Sequence, residues 1–288
     1  MGIRSPFKAL LHYRSLLIGV FSLGCIGSVA ALPPSANTIE PRIIGGKDVP
    51  DGKYPFLVGV GYPDDDDIFA GCGGTLVTPS IVMTAAHCVG LSTPADERLV
   101  VVGRTVITDT QTGKLHRVAR IVRHPRFNGG ESPRYDIGFI ELAEPVADAA
   151  LVTLPPKGQP SDQRTGELTT VAGWGRTNHP DIILDRLQEA SVELLPPSRC
   201  SGYGVMYDPS LMLCAGSPGK DSCTGDSGGP LFSVAADGKI EQLGIVSYGW
   251  GCADPDYPGL YTWLGSADIW DTLAESPDGQ YIKAMLDR

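Results

Sequence analysis

Along most of the chain, apolar residues come in short runs separated by turn-forming residues. Phe56–Tyr62, Leu99–Val102, Ile137–Leu142, Leu168–Gly173, Leu231–Val234 and Leu243–Tyr248 each read as a β-strand. Asp237-Gly238, between Leu231–Val234 and Ile240–Val246, predicts a hairpin, because a type I′ turn needs positive φ. Helical periodicity is missing until Ser266–Glu275, where Ile269 and Leu273 share a face and Ser266 stands at the N-cap. The pattern is that of an all-β chain with a short C-terminal helix. Leu154-Pro155-Pro156-Lys157-Gly158-Gln159-Pro160 reads as a linker between two similar halves, with the boundary near 155–165. Asp64–Asp67 reads as a solvated acidic loop, and residues 276–288 carry no usable signal.

Composition narrows the class. With 288 residues, 42% hydrophobic and 19% charged, the chain can bury a core and is not disordered. Gly 36 and Pro 24 favour turns over long helices. A net charge of −10 argues against nucleic acid as a partner.

The beginning of the chain reads as a targeting segment. Arg4, Lys8 and Arg14 precede the apolar run Leu16–Val29, and Ser28, Ala30 and Ala31 offer a signal-peptidase site. Residues 1–31 are therefore expected to be a signal peptide and the product secreted and extracellular. The rival is a signal anchor, since the apolar run extends to Leu32. No later run is long enough to span a membrane, so no stable membrane association is expected. Cys25 lies in the leader. The six others, Cys72, Cys88, Cys200, Cys214, Cys223 and Cys252, read as three disulfides in an exported chain. They contain no Cys-x-x-Cys pair, which argues against a structural metal, and their pairing is open at this level.

Three segments carry chemistry. In Gly225-Asp226-Ser227-Gly228-Gly229-Pro230, a serine nucleophile would need a base for its proton and donors for the oxyanion that it creates. Gly225 lets its N–H approach a substrate carbonyl, and Ser227 N–H can be the second donor. The segment also matches a nucleophile elbow of Gly-x-Ser-x-Gly form. That motif requires an acid and then a histidine after the serine, yet the last histidine is His179, and Pro230 opposes the helix that should follow. Thr84-Ala85-Ala86-His87-Cys88 places a histidine beside a half-cystine, held rigidly as a general base must be. His116, His124 and His179 lack such a setting, and the prolines after His124 and His179 suggest loops. In Tyr135–Leu142, Asp136 heads an apolar strand, where its carboxylate could be aimed at an imidazole.

His87, Asp136 and Ser227 in that order, with Val171-Ala172-Gly173-Trp174-Gly175 and the Ser247–Tyr261 stretch, resemble the trypsin/chymotrypsin serine proteases, from Ile43 to about Thr272. The resemblance implies two six-stranded antiparallel β-barrels with the active site between them and a short C-terminal helix. It also implies His87, Asp136 and Ser227 as the triad, Gly225 and Ser227 as the oxyanion hole, and bridges Cys72–Cys88, Cys200–Cys214 and Cys223–Cys252. Asp221, six residues before Ser227, corresponds to the primary-pocket acid of the trypsin-like branch, and Gly249 and Gly259 to its wall. Arg42-Ile43-Ile44-Gly45-Gly46 resembles the family's activation site, which implies a propeptide over residues 32–42 and a peptidase domain over 43–288. Cleavage after Arg42 would free the Ile43 amino group to pair with Asp226. The expected partners are protein or peptide substrates with Arg or Lys at the cleavage site, together with protein protease inhibitors; the expected state is a monomer without metal or cofactor. Tyr248 stands where the family usually has Trp, and Gly138 where Ala is common.

Overall fold

The computed structural model describes residues 43–90, 93–175, 185–235 and 237–287. The leader, Arg42 and His179 lie outside them. Strands β1 (Lys47–Asp48), β2 (Leu57–Asp64), β3 (Asp67–Leu76), β4 (Ile81–Thr84), β5 (Leu99–Val102), β6 (Lys114–Arg123) and β7 (Gly138–Leu142) come before the linker. After it come β8 (Leu168–Gly173), β9 (Gln188–Leu195), β10 (Met212–Gly216), β11 (Pro230–Val234), β12 (Ile240–Tyr248) and β13 (Gly259–Trp263). Helices α1 (Ala267–Leu273) and α2 (Pro277–Leu286) end the chain.

Both halves close. The first barrel runs β2-β3-β4-β7-β6-β5, and the second runs β9-β10-β13-β12-β11-β8, closed by β8 pairing with β9. Closure leaves no unpaired edge within either six-stranded ring, as the sequence led one to expect. Val58, Val60, Val82, Val100, Val102, Ile140 and Leu142 fill the first interior. Val171, Val192, Leu213, Leu231, Leu243, Tyr261 and Trp263 fill the second. A further apolar cluster joins the two, with Ile81, Met83 and Phe139 from one barrel and Ile245 and Leu260 from the other. The three disulfides are Cys72–Cys88, Cys200–Cys214 and Cys223–Cys252.

Three sequence expectations change, and one gains detail. The acidic run is not a free loop: Asp64 ends β2, pairs with Asp67 across the turn, and Asp65 has φ of 47°. Asp67 accepts from the buried Arg104 guanidinium at 2.8 and 3.0 Å, which gives that charge a counter-ion. The turn before β12 is a longer loop in which Ala235 N–H donates to Lys239 O and only Gly238 among its described residues has positive φ, so it is not type I′. His124 lies in a loop after β6, as expected, with its ring buried and stacked on Tyr135 with centroids 4.8 Å apart. Burial lowers its pKa, and Ile269 O lies 2.9 Å from Nε2. Finally, the tail forms a second helix. Ser276 Oγ accepts from Gly279 N–H at 3.0 Å and Pro277 occupies the first helical turn, so the start signal lay in the dipeptide Ser276-Pro277. The expected helix at 266–275 is α1, with Ser266 as N-cap and Ile269 and Leu273 fully buried. No helix among the described residues is long and apolar enough to cross a membrane.

Candidate active site

Strand register brings the histidine and its acid together. Thr84 pairs with Gly138, so the residues just beyond β4 meet those just before β7. His87 lies in the short turn Ala86–Val89, which the Cys72–Cys88 bridge ties to β3. Asp136 is 2% exposed. Its Oδ1 accepts from His87 N–H at 2.9 Å, and its Oδ2 lies 2.7 Å from His87 Nδ1. An acceptor at Nδ1 holds the proton there and leaves Nε2 as the basic nitrogen. Burial lowers the His87 pKa, but the hydrogen bond and charge of Asp136 outweigh it, and the net shift is upward. Cys72, His87 and Cys88 also cluster at metal-ligand spacing, but the disulfide consumes both thiols.

Two residues absent from the sequence-based set complete this acid. Ser247 Oγ donates to Asp136 Oδ2 at 2.6 Å, and Thr262 Oγ1 donates to Asp136 O at 2.8 Å. Ser247 follows Glu241 and Gln242 in β12, where nothing sets it apart, but Thr262 interrupts the otherwise apolar run of β13. A buried hydroxyl in such a run needs a partner, and that was the available signal.

Ser227 sits in a loop wedged between the barrels. Gly73 N–H of β3 donates to Ser227 O at 2.8 Å, and Gly228 N–H donates to Val246 O of β12 at 2.8 Å. Gly228 has φ of 78°, and a Cβ there would lie 2.2 Å from Thr84 Oγ1, so only glycine fits against the segment that leads into His87. Gly225 has φ of 99°. The N–H groups of Gly225 and Ser227 have no acceptor among the described residues. They are spare donors on either side of Asp226.

A cavity of about 190 Å³ opens beside the serine, lined by Asp221, Ser227, Ser247, Tyr248, Gly249 and Gly259 among others. Asp221 is 3% exposed; Ser222 N–H donates to Oδ1 at 2.8 Å and Ala253 N–H to Oδ2 at 3.0 Å. Burial pushes its pKa up to about 6, because those donors only partly replace water. A Cβ on Gly259 would stand 2.9 Å from Asp221 Oδ1, so a side chain would crowd the acid. The Cys223–Cys252 bridge ties the Ser227 loop to the cavity wall.

Asp226 points the other way. It is fully buried, with Gly175 N–H donating to Oδ1 at 2.8 Å and Cys223 N–H to Oδ2 at 2.9 Å. Burial pushes its pKa up to about 7, reinforced by the charge on Asp221. A Cβ on Gly173 or Gly175 would come within 2.2 or 2.5 Å of this carboxyl group. No Lys, Arg or His side chain among the described residues pairs with it. Ile43 is buried in the core of the same barrel, and Ile44 bridges Asp221.

Comparison with known proteins gives the same architecture a lineage. The Trypsin family model matches residues 43–270. A trypsin from Saccharopolyspora erythraea is 35% identical over 235 residues, which is 81% of this chain and 97% of that protein. A vitellin-degrading protease from Bombyx mori is 37% identical over 262 residues, 89% of this chain and 93% of its own. A glucanase inhibitor protein 2 from Phytophthora infestans is 32% identical over 242 residues, 83% of this chain and 91% of its own. With that span and the paired barrels around His87, Asp136 and Ser227, the chain belongs to the trypsin family of serine proteases.

Proposed function

We propose that the chain is a secreted serine endopeptidase, held as a zymogen until cleavage after Arg42, that hydrolyses peptide bonds following Arg or Lys. One observation carries this reading. Ser227 and Asp221 line one cavity with Ser247, and Ser247 bonds the same carboxylate oxygen as His87 Nδ1.

In this cycle Ser227 Oγ attacks the scissile carbonyl while His87 Nε2 takes its proton. His87 then protonates the leaving amine, with Asp136 holding the imidazole in the productive tautomer. The N–H groups of Gly225 and Ser227 receive the oxyanion, and water completes deacylation. Asp221 selects the residue before the cut. A guanidinium or ammonium group restores the charge partner that its burial removed, whereas an apolar side chain leaves the acid unpaired. Gly249 and Gly259 leave room for the long side chain.

Activation follows the same logic. The Ile43 ammonium released by cleavage would supply a cation to Asp226, and the loop that carries Asp226 and its two flanking oxyanion donors would be fixed by that pair. Cys25 is the only cysteine before Arg42, so no disulfide of the three would tether the released piece. Arg42 itself fits the proposed specificity, which makes self-activation open to test. Protein inhibitors of serine proteases would occupy the same cleft, and the working unit is a monomer.

The glucanase inhibitor relative favours a second reading, a binding module without catalysis. A fluorophosphonate probe separates the two, since it needs an activated serine. The proteolytic reading expects covalent labelling of Ser227 after cleavage, and cleavage of Arg and Lys reporter peptides over Phe and Val ones. Absence of labelling in correctly cleaved protein would favour the binder, and a preference for Phe would overturn the role of Asp221.

A further inference from the structure

Glu189 of β9 is an acid that the proposed chemistry leaves unused. It is 5% exposed, and its neighbours are unusual in origin. Lys53 Nζ lies 2.6 Å from Oε2, Lys47 Nζ lies 3.2 Å from Oε1, and Tyr54 O–H donates to Oε2. All three donors come from residues 47–54, the stretch just after Ile43, and none from the barrel that carries Glu189. Burial alone would raise the Glu189 pKa, but Lys53, Tyr54 and Lys47 reverse this and hold it below the usual range. Burial and the Glu189 hydrogen bond push the Tyr54 hydroxyl well above its ordinary value.

Backbone contacts lead from this cluster in both directions. Lys47 pairs with Glu189 and Asp48 with Gln188 in the β1–β9 ladder, Gln188 Nε2 donates to Asp48 Oδ1 at 2.6 Å, and Val49 N–H donates to Leu187 O at 3.0 Å. On the other side, Gly46 N–H closes a turn on Ile43 O, and Asp221 N–H donates to Ile44 O. Ile43, itself buried in the second barrel, is thus followed by a short stretch held at Asp221 through Ile44 and at Glu189 through Lys47.

We infer that Glu189 is a positioning residue: it clamps residues 47–54 to the second barrel, so that the amino terminus freed by cleavage stays docked beside Asp226. The inference rests on the activation reading above. After cleavage the clamp acts together with the buried side chain of Ile43, the Ile44–Asp221 bridge and the proposed ammonium–Asp226 pair. Making this buried carboxylate neutral removes the charge that draws both lysines to it and weakens its bond from the Tyr54 hydroxyl. The docked state becomes one of two exchanging states, and catalytic competence follows its population.

The test uses the full chain cleaved after Arg42, as wild type and as Glu189→Gln, with Lys53→Met as a second variant should Glu189→Gln fail to fold. Hydrogen exchange read by mass spectrometry reports docking, and the burst of an arginine-ester titrant reports the competent fraction. The clamp predicts that amides of residues 43–54 exchange about tenfold faster or more in the variants, with the rest of the second barrel unchanged. It also predicts a smaller burst with unchanged turnover per titrated site, which a merely structural residue would not give. Unchanged exchange at 43–54, or lost protection with a full burst, overturns the inference. Wild type giving equal bursts before and after cleavage defeats the activation reading instead, and removes the basis of this inference with it.

Discussion

The two barrels equip their buried acids differently. Asp136, beside the first barrel, is surrounded by donors on every side: His87 N–H, His87 Nδ1 and Ser247 Oγ all reach its carboxylate. Asp221 and Asp226, on the second barrel, each receive backbone N–H groups and no cation among the described residues, and burial raises them to about 6 and about 7. An acid with its partners built in acts as a fixed support. An acid buried without a cation is a vacancy for one, and in this account substrate fills the first and the freed amino terminus fills the second. The partners of Asp136 belong to the folded chain, whereas in the proposed function those of Asp221 and Asp226 come from substrate and from cleavage.

Substitutions break that comparison in graded steps. Ser227→Ala should lower kcat by about 10⁶-fold with both sides otherwise intact, as steady-state kinetics with an unchanged melting temperature would show. Asp136→Asn should cost about 10⁴-fold in kcat, because the imidazole loses its tautomer and its orientation. Replacing Asp221 with Ser should leave His87 untouched and instead reduce the kcat/KM ratio of Arg over Phe substrates by about 10³-fold or more.

Acidity sharpens the contrast further. His87 acts as base only when neutral, and its pKa is raised, so kcat/KM should fall as pH drops through a value above 6.5. In Asp136→Asn that acid limb should move to lower pH, since burial remains and the raising causes are gone. Protonation of Asp221 near pH 6 should appear separately, as a rise in KM for Arg substrates. For Asp226 in the uncleaved chain the sign follows from its raised pKa. Its contribution to stability is fully present below about 3.8 and is lost as pH rises towards about 7. Melting of the uncleaved chain across that window should therefore lose part of its pH dependence in Asp226→Asn.

The sequence made strands legible where one face or both meet a core. Leu99–Val102 and Leu168–Gly173 have the expected bounds, because strand-favouring Leu, Val and Thr residues are cut off by charged residues on one side and glycine on the other. Strand β6 escaped because Lys114, Arg117, Arg120 and Arg123 interrupt its apolar positions, and β3 because three glycines dilute it. At the site, residue order and motif spacing pointed to His87 and Asp136, which bond each other, and to Ser227 and Asp221, which line one cavity. Ser247, Thr262 and the Glu189 cluster stayed hidden, since each acts through a partner more than a hundred positions away or across the ladder. Spacing along a chain reports local chemistry; pairing between distant strands is reported only by the fold.

The most direct measurement is active-site titration of the chain before and after cleavage at Arg42, using an arginine ester with a chromogenic leaving group. The account predicts a burst of about one equivalent per chain after cleavage, a far smaller one before it, and none in Ser227→Ala. Equal bursts before and after cleavage, or a burst that survives Ser227→Ala, would contradict it.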